Sequence, residues 1–373
     1  MLEKKTTITI INNFKLLKKK QDIQFYKGNL NCFPLLSLSS FLPFSLYSLI
    51  YILSIVFLLT SCTSDPRGER QDQGRTDACW IYAMTECVER EMWSTGDSIP
   101  LSRQWLVAKC LEEQTLDRRL SHGARTISLR GVGPEAIRLI NTYGLIPFSQ
   151  EKSRALNSRT LERRLTLLAD QSDRTDGPIP TLLDSARDLL PHFTVARHEE
   201  EIPSATHPPF KGGLEGPQGL QSPPTFYLFS VQYTPQSFAE SIMYRQHWQF
   251  YASSPYHPYG KPFALEVADN RRYHEYINLP MTELLNRTLR SLRDGHPVYW
   301  ELGRKPSKQP GGGGAASDHA MAIIGLKKAT DGKLYLICQN SYGKKWGEQG
   351  KVRVSLPYFL LHTSNVGILH YKP

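Results

Sequence analysis

Four side chains in this sequence have the chemistry of an acyl transfer. Cys79 precedes Trp80, Gln73 lies six positions upstream, His319 sits in Ser317-Asp318-His319-Ala320-Met321, and Asn340 sits in Gln339-Asn340-Ser341-Tyr342-Gly343. Such a reaction needs a thiolate to attack a carbonyl, an imidazole to move the proton, an amide to hold the imidazole in one tautomer, and a donor for the oxyanion. Cys79, His319, Asn340 and Gln73 are the candidates for those roles, in that order. Singly, each has a plain structural reading, because a lone Cys is usually a small buried apolar residue and a lone His or Asn is usually packed or solvated.

The elements that must position these residues are legible nearby. Trp80, Met84, Val88 and Met92 recur every four positions, which predicts a buried helix with Cys79 in its first turn. The unpaired amides and partial positive charge of a helix N-terminus lower a thiol pKa, and the Cys79 amide would join Gln73 at the oxyanion. Asp77 either raises the thiol pKa as a nearby carboxylate or caps the helix. Pro134 to Tyr143, closed by Gly144, and Met281 to Arg293, closed by Gly295, also read as helices. Four strand-like segments follow: Pro297 to Leu302, His319 to Lys327, Lys333 to Asn340 and Lys351 to Pro357. His319 begins one strand and Asn340 ends the next, so both fall at one rim.

The segment Asp72-Gln73-Gly74-Arg75-Thr76-Asp77-Ala78-Cys79-Trp80-Ile81-Tyr82-Ala83 resembles the nucleophile region of papain-like cysteine peptidases. His319-Ala320-Met321-Ala322-Ile323-Ile324-Gly325 resembles that family's His-Ala strand, and Asn340-Ser341-Tyr342-Gly343-Lys344-Lys345-Trp346-Gly347 its Asn-Ser-Trp-Gly stretch. Tyr143-Gly144-Leu145-Ile146-Pro147, Thr234-Pro235-Gln236-Ser237-Phe238, Pro258-Tyr259-Gly260-Lys261, Tyr276-Ile277-Asn278-Leu279-Pro280 and Asp294-Gly295-His296-Pro297-Val298 are similar, in order, to the bleomycin hydrolase and aminopeptidase C branch.

The resemblance implies an α+β fold of two lobes, a helical one carrying Cys79 and an antiparallel β-barrel-like one carrying His319 and Asn340, with a cleft between them. It also implies hydrolysis of peptide bonds through a thioester acyl-enzyme. Gly131 and Tyr342 are expected to border the substrate. Gly131 matches the last glycine of the family's Gly-Gly wall, with Arg130 making that edge narrower or cationic; its alternative reading is a turn glycine before a helix. Tyr342 stands where the family has a Trp that shields the Asn-His hydrogen bond. In the same branch a C-terminal arm restricts cleavage to substrate amino termini. Here only Lys372 and Pro373 follow the last strand, and two residues span roughly 7 Å. The expectation is that amino-blocked peptides are cleaved too, unless a loop such as 203–224 or 303–316 fills the space. A rival reading is a catalytically inactive, membrane-tethered lipoprotein that binds peptides with the same fold.

Residues 1–62 read as a signal or lipoprotein segment or membrane anchor, 63–202 as the helical lobe, 203–225 as a Pro/Gly-rich insertion, and 226–373 as the β-rich lobe. The apolar run Phe41 to Leu59 ends in Leu59-Thr60-Ser61-Cys62, which resembles the lipobox of a bacterial lipoprotein with Cys62 as the lipidated residue. An uncleaved transmembrane anchor is the alternative. Either places the catalytic part outside the cytosol, in the bacterial cell envelope and tethered to a membrane.

The formal charge of +10 does not argue for nucleic acid. Seven lysines against Glu3 and Asp22 put half of it in residues 1–61, and the remaining basic residues form no stripe interleaved with aromatics. The expected partners are a peptide or protein substrate and the membrane. Cysteines 87, 110 and 338 remain beside Cys79, an odd number, so a fold held by its core with at most one disulfide is expected. No Cys-x-x-Cys pair or His-Glu-x-x-His run is present, and no metal or other cofactor is expected.

Overall fold

A computed structural model of the chain describes residues 72–94, 98–151, 157–194, 224–244, 246–267, 272–303, 317–330 and 332–371. The apolar run 41–59, Cys62, the Pro/Gly-rich stretch through residue 223 and the Gly311 to Gly314 run lie outside the described residues. Those that are described belong to one compact unit, Asp65–Pro373.

Helices come first: α1 Cys79–Ser94, α2 Arg103–Leu120, α3 Gly133–Tyr143, α4 Ser158–Arg174 and α5 Ile179–Leu189. A hairpin of β1 Phe226–Leu228 and β2 Val231–Tyr233, then α6 Pro235–Ile242, lead into the sheet. Its strands are β3 Gln246–Ala252, β4 Pro262–Val267, β5 Arg272–Asn278, β6 Val298–Gly303, β7 Ser317–Lys328, β8 Leu334–Gln339, β9 Lys351–Ser355 and β10 Thr363–Tyr371. Helix α7 Met281–Arg293 precedes β6, and α8 Leu356–His362 precedes β10. The strands lie in the order β4-β5-β3-β10-β6-β7-β8-β9. The expected antiparallel pattern holds for every pair except β3 with β5, which is parallel.

Strand alternation sorts the apolar side chains into two cores. Trp248, Phe250, Tyr299, Ala320, Ala322 and Leu369 join the helices α1 to α3, whereas Tyr251, Val298, Trp300, Met321, Ile323 and Ile368 join Leu284 and Leu289 of α7. Successive residues on one strand point to opposite faces, so one sheet closes both cores. Pro134 and Gly144 bound α3 as the sequence predicts: Gly144 adopts φ 71°, and a Cβ there would lie 2.2 Å from the Pro235 carbonyl oxygen. Cys79, Cys87, Cys110 and Cys338 are free thiols, the last three buried, consistent with a fold that its core holds together.

Helix α1 is buried along nearly its whole length and takes three carboxylates down with it, Glu86, Glu89 and Glu91, each no more than 3% exposed. Each finds partners. Arg103, itself 2% exposed, donates to Glu89 Oε1 and Oε2 at 3.2 and 2.8 Å and to Glu86 Oε2 at 3.1 Å. Arg90 Nε meets Glu86 Oε1 at 2.7 Å, and the Leu101 N–H donates to Glu89 Oε1 at 2.6 Å. Glu91 meets His296 Nδ1 at 3.1 Å and accepts from the Tyr371 hydroxyl. Removing one member of a buried pair strands the other charge, at a cost of about 3–5 kcal/mol. Arg103→Leu is therefore expected to lower the unfolding free energy by about that amount in a urea titration; a loss below about 1 kcal/mol would show that Glu86 and Glu89 are sustained by other partners.

Candidate active site

Cys79 is the first residue of α1, and the helix beneath it fixes where its sulfur stands. Trp80 is buried and its Nε1 donates to the Leu129 carbonyl at 2.7 Å. Its indole also fills the space above Gly131, where a Cβ would come within 2.4 Å of the ring. Gly131 is thus a packing requirement of Trp80, and this accounts for the glycine independently of substrate. Arg130, before it, lies 3.8 Å from Asp77 on the surface, so Asp77 faces a cation at the rim.

The backbone N–H groups of Ala320 and Trp80 lie near enough to the sulfur to favour its charged form, which sets Cys79 beside the peptide that follows His319. Burial pushes the thiol up to about 12; the Ala320 and Trp80 N–H groups pull it down, and the carboxylates of Glu301 and Asp77 push it up. The helix N-terminus alone predicts a lowered thiol. Desolvation outweighs it here, because removing a thiolate from water costs more than two amides and a helix end return.

His319 stands on β7 opposite Leu302 of β6, and Asn340 directly follows β8, as the strand reading places them. His319 Nε2 is 2.7 Å from Asn340 Oδ1, and that oxygen also accepts the Ser341 backbone N–H at 2.7 Å. A backbone N–H only donates, so the atom it meets is the amide oxygen, and the ring nitrogen facing that oxygen carries the proton. Asn340 thereby selects the Nε2–H tautomer and leaves Nδ1 as the basic nitrogen of the neutral ring. Burial lowers the His319 pKa and the Asn340 hydrogen bond raises it, with the net direction downward. Tyr342 stacks on the imidazole, centroids 5.0 Å apart and planes 13° from parallel, and Trp346 meets Tyr342 edge-on at 6.0 Å.

Gln73 is held at both ends of its amide. Its Oε1 accepts from Ser341 Oγ at 2.5 Å, and its Nε2 donates one hydrogen to the Thr76 carbonyl at 2.5 Å. Its backbone N–H donates to the Ser341 carbonyl at 2.8 Å. The second Nε2 hydrogen is the one available for an oxyanion, alongside the Cys79 N–H, which has no intrahelical acceptor at the start of α1.

The structure therefore gathers Gln73, Cys79, His319, Asn340 and Tyr342 into one site. Sequence reasoning missed Ser341, which ties Gln73 to Asn340 across 268 residues of chain, and Glu301. Glu301 is wholly buried, accepting from Gly133 N at 2.8 Å, Tyr299 Oη at 2.5 Å and Asn365 Nδ2 at 2.6 Å. Both bind through contacts that no local pattern encodes.

Comparison with known proteins reaches only part of this arrangement. A family model described as papain family cysteine protease matches residues 307–359, the stretch that holds His319 and Asn340. Cysteine proteinase EP-B 1 of Hordeum vulgare is 49% identical over 41 residues, 11% of each chain. Senescence-specific cysteine protease SAG12 of Arabidopsis thaliana is 49% identical over 37 residues, 10% of this chain and 11% of its own. The chain thus spans about a tenth of the length of these curated relatives. The crystal structure of PepW from Lactobacillus rhamnosis superposes with a TM-score of 0.54 at 17% identity, covering 80% of this chain and 79% of that one. The fold is the α+β papain-like fold. The half of the site on Gln73 and Cys79 lies outside the matched segment and rests on geometry.

The Tyr342 stack has a measurable consequence. Its ring keeps water from the imidazole, so truncation removes part of the burial that lowers His319. Tyr342→Ala is expected to raise the His319 pKa toward 6.5 in an NMR titration of its ring protons, and Tyr342→Trp to leave it nearly in place. A further fall in the Ala variant would contradict the shielding role.

Proposed function

We propose that this protein is a cysteine peptidase that hydrolyses peptide bonds through a thioester. The observation that carries the proposal is the Asn340 Oδ1 contact, which fixes the tautomer of His319 while the Cys79 sulfur sits against the adjoining Ala320 N–H. Cys79 attacks the scissile carbonyl as His319 Nδ1 takes its proton. The oxyanion forms against the Gln73 Nε2–H and the Cys79 N–H. The imidazolium then protonates the leaving amine as the carbon–nitrogen bond breaks, leaving the acyl group on sulfur. Water, deprotonated by the same nitrogen, releases the acid and regenerates the thiol.

Within that class, the motifs 143–147, 234–238, 258–261 and 276–280 favour a bleomycin hydrolase or aminopeptidase C-like enzyme. Tyr342 is assigned to the substrate's edge of the site, and Gly131 to the same edge through its backbone, its missing side chain being explained by Trp80. The Leu59-Thr60-Ser61-Cys62 ending supports lipidation at Cys62 and tethering in a bacterial cell envelope. Mass spectrometry of the membrane-extracted N-terminus reads that assignment, and fluorogenic peptides with free and blocked amino termini read the mode of cleavage.

Cys79→Ala is expected to abolish hydrolysis, and Gln73→Ala to lower kcat about a hundredfold or more, the scale of an oxyanion donor. Activity retained by purified Cys79→Ala protein sinks the proposal. Because the thiol is pushed up to about 12 and His319 is lowered, the free enzyme rests as thiol and neutral imidazole. The rate of Cys79 alkylation by iodoacetamide is therefore expected to keep rising above pH 8. A rate already constant from pH 5 to 8 would mean that a thiolate-imidazolium pair exists before substrate arrives.

A further inference from the structure

One and two turns below Cys79, α1 presents Tyr82, Ala83 and Glu86 toward the ends of β7 and β8. Between them and Arg103, Gln339, Asn340 and Ser341 lies a small cavity, in which the volume open to the centre of a water molecule is about 10 Å³. That is close to the least space that admits one water.

Two buried polar atoms of the lining residues lack a hydrogen-bond partner among the described residues. One is a donor, Arg103 Nε, on a side chain 2% exposed. The other is an acceptor, Gln339 Oε1, on a side chain 3% exposed. The other polar atoms of these two side chains are engaged. Both terminal nitrogens of Arg103 serve Glu86 and Glu89, while Gln339 Nε2 donates to the Gly350 carbonyl at 2.9 Å and the Asn340 carbonyl at 3.2 Å. Those donations also fix the orientation of the Gln339 amide, because a carbonyl accepts only from the nitrogen. A buried donor and a buried acceptor left without partners cost about 1–3 kcal/mol each.

We infer that this cavity is the binding site of one structural water, which accepts from Arg103 Nε and donates to Gln339 Oε1, and that this bridge positions Asn340. The charges argue for a neutral occupant. Glu86 and Glu89 are matched by Arg103 and Arg90, so the site offers no net charge to hold an ion. Acceptor oxygens for the second water hydrogen are present on Glu86 and Tyr82 in the lining. Through the bridge, the buried ion cluster of the helical layer grips the Gln339 amide. That amide in turn holds the backbone of Asn340, whose N–H is fixed to the Gly350 carbonyl at 2.8 Å. The water site stands on its own; its effect on turnover rests on the peptidase reading above.

Ala83→Val tests both parts, because it fills the cavity while leaving Arg103, Gln339 and Asn340 intact. A crystal structure of the full chain is expected to show one water within about 3.2 Å of Arg103 Nε and Gln339 Oε1, and the valine variant is expected to lack it. Direct contact between the two side chains, or an ion at that position, overturns the site. In the variant, His319 is expected to titrate lower, since the hydrogen bond that raises its pKa is loosened. kcat is expected to fall about tenfold with KM within twofold, as for a small misplacement of a catalytic group. A displaced water with an unchanged His319 titration overturns the positioning role. The crystallographic and NMR readouts need no activity, so a failed peptidase assignment leaves them decisive.

Discussion

The structure depends on burying a helix that is not apolar. Helix α1 must sit under Cys79 and against β7, yet it carries Glu86, Glu89 and Glu91 inward. A carboxylate in that position is tolerated only with hydrogen-bonded partners. Besides Arg90 on α1 itself, the partners come from four places outside the helix: Arg103 at the start of α2, the Leu101 amide, His296 before β6, and Tyr371 at the end of β10. Helices and sheet are consequently joined by polar contacts whose geometry is directional, in addition to apolar cores that are not. A directional frame suits a site whose parts arrive on α1, β7 and the turn after β8.

The sequence showed the local parts of this frame clearly. Met281–Arg293 is read to its ends because an apolar stripe runs up to a glycine stop. The bounds of β6, β7 and β8 fall within one or two residues of those expected from apolar runs between turn residues. The misreading at Lys351 to Pro357 has a physical cause. The strand ends at Ser355, whose hydroxyl accepts from the Tyr358 N–H, and Pro357 occupies the first turn of α8. Proline there begins a helix, although by residue type alone it marks the end of a strand. The parallel β3–β5 pair was not legible, because its two strands are brought together by tertiary closure and no turn joins them.

The four candidate catalytic residues were legible as types in order, but their electrostatics were not. A helix N-terminus argues for a thiolate, and burial argues against one; only the structure gives the depth that decides between them. Ser341 illustrates the same limit. Adjacent to Asn340 it looks like ordinary strand-end sequence, yet its amide fixes the orientation of the Asn340 side chain and its hydroxyl fixes Gln73. One residue thus aligns the Asn340 side chain with the Gln73 amide.

Glu301 adds the last constraint. Its carboxylate joins β6 to β10 and to the start of α3, and it lies close enough to Cys79 to oppose a negative sulfur. The same charge adds to burial in pushing the Tyr276 and Tyr299 phenols up. This carboxylate adds to burial in opposing a thiolate at Cys79. That opposition is avoided when the proton leaves sulfur as the new bond to carbon forms, because negative charge then passes to the oxyanion between the Gln73 and Cys79 donors and does not rest on a buried sulfur beside Glu301. On the peptidase reading proposed above, Glu301 sets attack coupled to proton transfer ahead of attack by a thiolate formed in advance.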